Sequence, residues 1–171
     1  MKTLGEKMLA RLRNSRQAKG SWHGPVLHTG EARSCIEEEA NGYRLHLEFD
    51  EADKLSLQAR RLQVLNSTTS TPAAFDAGRL RRQADELTRR VTYLTEEIRL
   101  VELDQHNQSA QLRSASPMHD KAGSSYFEIL LTGNHTLSLC RYQTSEQDTL
   151  SQRVGVAFII SQELFERLVD D

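Results

Sequence analysis

An apolar stripe in the middle of the chain constrains its fold more than any other feature. Leu80, Ala84, Leu87, Val91, Leu94, Ile98 and Val101 follow at alternating steps of four and three, the spacing at which side chains share one helix face. Thr71 is placed to cap and Pro72 suits a first helical turn, where a missing N–H costs nothing. The pattern predicts one long central amphipathic helix over residues 72–97.

On either side the period is two. Asn41-Gly42 is a favoured pair for a tight hairpin turn, because both central residues need φ > 0. Beyond it Tyr43, Leu45, Leu47 and Phe49 alternate with Arg44, His46 and Glu48, giving one buried and one wet face. Ser34 to Glu39 is charged enough for an edge strand. Residues 51–66 fit either a helix or a bulged strand, with strand preferred. After residue 98 a hairpin is expected around Gln105–Gln108, and a second around Gly133-Asn134. A strand over Arg153–Ile160 follows, then a closing helix capped by Ser161. Runs of strands, rather than strict strand–helix alternation, predict an α+β fold. Its expected form is an antiparallel β-sheet meander packed against the central helix, with short N- and C-terminal helices.

Charge divides the chain. Residues 1–20 carry Lys2, Lys7, Arg11, Arg13, Arg16 and Lys19 against Glu6, a charge of +5. The other 16 basic and 23 acidic residues give −7, and the whole chain −2. Leu4, Met8 and Leu12 share a stripe in this segment, too short to hold a helix alone in water. The expected organisation is a basic amphipathic N-terminal arm, 1–20, and a single α+β domain, 21–171. A polar loop at 66–71 separates the first strands from the central helix.

No apolar run approaches the roughly 20 residues that span a bilayer, and no secretory leader is evident. Cys35 and Cys140 read as small buried hydrophobes rather than a disulfide. A cytoplasmic protein is expected. The six histidines have no ligand spacing, and no phosphate-binding loop, dinucleotide fingerprint or nucleophile elbow is present. No cofactor is expected.

The central helix bears two charge ladders, Arg81–Asp85–Arg89 and Arg82–Glu86–Arg90, at favoured i, i+4 steps. Arg79, Arg81 and Arg82 sit toward its N-terminal half, against the helix dipole, which suggests an acidic partner. Glu37, Glu38 and Glu39 are candidates within the fold. The expected function is a non-enzymatic protein–protein interaction or scaffolding domain, self-association as a homodimer included. The expected contacts are Lys2, Lys7, Arg11, Arg13, Arg16 and Lys19 on the arm, and Arg79, Arg81, Arg82, Arg89 and Arg90 on the helix. Nucleic-acid association through the arm is the alternative. A third reading starts from Glu37-x-Glu39, which resembles the paired acids with which triphosphate-tunnel phosphohydrolases hold a metal. That resemblance implies a phosphate-handling, metal-dependent hydrolase, with Arg44, Arg60 or Arg61, and Arg141 on the phosphates. The family's basic residue two positions further on is Asn41 here.

Overall fold

A computed structural model describes residues 2–14, 34–68, 76–121, 123–133, 136–144 and 153–170. Thr71, Pro72, Arg16 and Lys19 lie outside them. Helix α1 (Leu4–Asn14) precedes strands β1 (Ser34–Ala40), β2 (Tyr43–Ala52) and β3 (Ser56–Asn66). Helix α2 (Ala77–Arg90) comes next, then β4 (Ile98–Asp104), β5 (Ser109–Ser114), β6 (Met118–Asp120), β7 (Gly123–Thr132) and β8 (Thr136–Thr144). Strands β9 (Arg153–Val156) and β10 (Phe158–Ser161) run into α3 (Gln162–Asp170).

The ten strands form one antiparallel sheet with the path β1-β2-β3-β8-β7-β5-β4. Asn41 and Gly42 have φ of 54° and 79° and close the first hairpin, as the turn chemistry requires. Residues 56–66 are strand. Leu57, Ala59, Leu62 and Val64 stay on one face because the register with β2 slips around Arg60, where Glu48 opposes Arg61 and Phe49 opposes Ala59. Strands β3 and β8 pair from Arg61–Cys140 to Leu65–Thr136. At the other end, β10 pairs with β3 over Ser56–Ala59, while β9 pairs with β8 over Arg141–Thr144.

The long central helix is overturned. Helix α2 ends at Arg90, and residues 91–97 cross to β4 without regular structure. Val91, Thr92 and Tyr93 are β-branched or aromatic and favour helix weakly. Glu96 instead points inward, at 8% exposure, to a buried ion pair with Arg141 (2.7 Å). The stripe is therefore divided. Leu80 and Ala84 are buried on α2, Ile98 is buried in β4, and Val101 is 58% exposed. The sheet, not a helix, dominates the fold, and the three helices are short. The cap is Asp76, whose carboxylate accepts from the Gly78 N–H.

Leu4, Met8, Leu9 and Leu12 of α1 and Phe165 of α3 join one core with Ile36, Leu45, Leu47, Leu62, Leu112, Ile129 and Leu139 of the sheet. Met8 is fully buried. Leu80 and Ala84 of α2 reach the same core. Ser161 caps α3 through the Leu164 N–H (3.1 Å).

Candidate functional site

Helices α1 and α3 contact each other, and α1 contacts β1 and β2, while α2 contacts β4, β5 and β7. The two helical groups cover opposite halves of one sheet face. Between them runs a groove of about 630 Å³, within the size range of ligand sites. Its floor is Leu62 and Val64 of β3, Ile129 and Leu131 of β7, and Leu137 and Leu139 of β8. Alternation puts these six on one face. Leu168 and Val169 of α3 line it, as do Arg79, Gln83, Leu87 and Val91 on or just past α2. Asn41, Asn66, Thr132 and Thr136 supply polar groups. Val64, Leu87 and Leu137 are only half-buried.

The opposite face is polar. One rank of residues crosses seven strands in register: Cys35, Glu48, Arg61, Cys140, Glu128, Arg113 and Arg99. Glu128 is buried and accepts from Arg113 (2.8 Å) and Arg153. These two guanidiniums lie over the rings of Tyr126 and Tyr142, at 5.2 and 4.4 Å. Burial pushes the Tyr142 phenol up to about 12 and, despite Arg61 nearby, raises the Cys140 thiol as well. In the next rank His46 is buried, with Nδ1 3.3 Å from Glu37 and Nε2 3.6 Å from Glu48.

Of the sequence-predicted contacts among the described residues, only Arg79 lines the groove. Lys2 is exposed and Lys7 half-buried. Arg11 pairs with Glu38 (3.1 Å), and Arg13 donates to the Gln162 side chain (3.1 Å). On α2, Arg81 pairs with Asp85 (3.6 Å) and Arg82 with Asp76 (3.4 Å). Arg89 and Arg90 share Glu86. The Arg90 hydrogen bond, then the Arg89 charge, hold that carboxyl below its ordinary value. The triplet 37–39 does not serve the α2 arginines: Glu37 faces His46, Glu38 takes Arg11 and Glu39 takes Arg44 (3.4 Å). Arg79 lines the groove and makes no ion pair among the described residues.

The residues of the phosphohydrolase reading are brought together only in part. Glu37, Glu39, Arg44 and Arg61 share the polar face, Arg60 is held by Asp50 (2.7 Å), and Arg141 points to the helical face. Among the described residues no group of three His, Cys, Asp or Glu is placed to hold a metal.

Floor strand β3 is far in sequence from the β7–β8 hairpin beside it. Their alternation was readable, but no local signal says that two helical groups leave a gap above them. Comparisons with known protein families, characterised proteins and solved structures find no match. Among the described residues no helix is long and apolar enough to cross a membrane.

Proposed function

We propose that this chain is a non-enzymatic protein-binding module whose groove receives an apolar partner segment carrying an acidic residue. The groove carries this reading. Its apolar floor is left only partly covered by the helices, and filling it would remove that surface from water at about 25 cal/mol per Å². Arg79 stands on its wall without a counter-ion among the described residues, so an acidic group on the ligand would fix orientation as well as add attraction. The reading includes a cytoplasmic setting, supported by the fact that Cys35 and Cys140 form no disulfide. No geometric observation favours nucleic acid, since most of the α1 and α2 arginines are already bound within the fold.

The test is selection of peptides from a displayed library on the full chain, with counter-selection on Leu137→Asp. Apolar, acid-bearing peptides should emerge and bind Leu137→Asp at least about tenfold less tightly, a loss of about 1.4 kcal/mol. Arg79→Glu should weaken them and favour lysine-bearing counterparts. Peptides that bind wild type and Leu137→Asp alike would overturn the reading. A dimer in sedimentation that Leu137→Asp dissolves would instead make a second copy the occupant. Deleting residues 1–20 is no clean test, because it removes Leu4, Met8, Leu9 and Leu12 from the core.

A further inference from the structure

A second cavity, of about 600 Å³, opens beside the buried Glu96–Arg141 pair, between residues 93–95, β6 and the β9–β10 segment. Arg141 lines it at 9% exposure, its guanidinium 4.5 Å above the centroid of Phe127. Glu96 and Ser125 both take their hydrogen bonds from Nη2 of Arg141, at 2.7 and 3.0 Å. A guanidinium has five N–H donors. Nε and Nη1 of Arg141 make no hydrogen bond with any described residue, and neither is fully closed off from the cavity. The rest of the wall includes Tyr93, Phe158, Ile160 and Leu164, a surface for an aliphatic or aromatic body.

We propose that this cavity is a binding site for a small apolar monocarboxylate. The carboxylate accepts from the free donors of Arg141, and the hydrocarbon lies against Phe127, Phe158 and Leu164. Glu96 offsets part of the arginine's charge and fixes its Nη2 edge, so the remaining donors face the cavity. The site is separate from the groove and does not depend on the protein-binding reading.

The experiment is amide-resolved NMR titration of the full chain with hexanoate and phenylacetate, each matched with its neutral alcohol. The acids should shift the amides of Ser125, Phe127 and Phe158 and bind at least about tenfold more tightly than the alcohols. Arg141→Met alone would strand a buried Glu96, so it is paired with Glu96→Leu; replacing both ions by apolar groups of similar size is often neutral for folding. The double variant should stay folded and lose the preference for acids, while Arg141→Lys keeps part of it. The proposal fails if acids and alcohols bind alike, if the double variant binds acids as wild type does, or if neither acid shifts the cavity amides.

Discussion

Each strand of the sheet carries two chemistries back to back. On the helical face Leu45 and Leu47 of β2 are at 0% exposure, and Leu139 of β8 is covered too. On the other face the same strands present Arg44, His46 and Glu48, and Cys140. The helical face is stabilised by removing hydrocarbon from water, a non-directional effect that scales with area. The polar face gains from directional pairs such as Glu128 with Arg113 and Arg153, whose attraction is largely offset by desolvation. Stability should therefore reside mainly on the helical face, and the polar face should contribute less per residue.

The sharpest test of that asymmetry is Met8→Ala. Met8 is fully buried between α1 and the sheet core, and removing such a side chain leaves a cavity that costs about 2–5 kcal/mol. Urea unfolding followed by far-UV circular dichroism should show a loss in that range. A loss below about 1 kcal/mol would mean that α1 is not part of the cooperative core, and the comparison would break at its strong end.

Glu128→Gln probes the other face. Glu128 is 5% exposed, but the side chains of its partners Arg113 and Arg153 are 35% and 41% exposed. The arginines can rehydrate when the carboxylate goes, so the expected cost is about 1–3 kcal/mol, the range for losing charge-assisted hydrogen bonds. The same denaturation measurement serves, with Glu128→Gln compared directly with Met8→Ala. A larger loss for Glu128→Gln would reverse the ranking of the two faces.

The two faces were legible strand by strand. Period-two alternation from Tyr43 to Phe49 placed each side chain of β2 on its face, and Asn41-Gly42 marked the turn that sets its register with β1. The helices were read with the opposite weights. The stripe from Leu80 to Val101 looked like one long element because periodicity records spacing and not what each side chain meets. Val91 and Tyr93 have weak helix preference, and Glu96 has a buried arginine to reach 45 residues along the chain. Neither a ladder of i, i+4 charges nor a stripe of leucines reports that competition. The basic segment 1–20, by contrast, holds a three-turn helix that cannot stand alone, and Leu4, Met8, Leu9 and Leu12 anchor it in the core. The groove depends on β3 lying beside the β7–β8 hairpin, and the Arg141 cavity on residues 93–95 meeting β9–β10; these long-range contacts, unlike the hairpin, leave no local trace.

The smallest expected effect lies on the polar face and is read through pH. The Tyr142 phenol is pushed up to about 12, first by burial, then by Cys140 and Glu128, against the lowering influence of Arg153. Unfolded tyrosine titrates near about 10, so the folded state holds this proton more tightly than the unfolded chain does. By linkage, the contribution is fully present below about pH 10 and is lost as pH rises toward about 12. The Cys140 thiol is also raised and acts in the same direction from a lower starting point, so the comparison is made in a Cys140→Ser background. There burial, the largest cause, still raises the phenol, and stability should fall above about pH 10 more steeply with Tyr142 than with Tyr142→Phe. Phenylalanine keeps a ring beneath Arg153 and removes only the titrating group. Equal slopes would mean that Tyr142 titrates like an exposed phenol, and that this part of the polar face is wetter than its packing indicates.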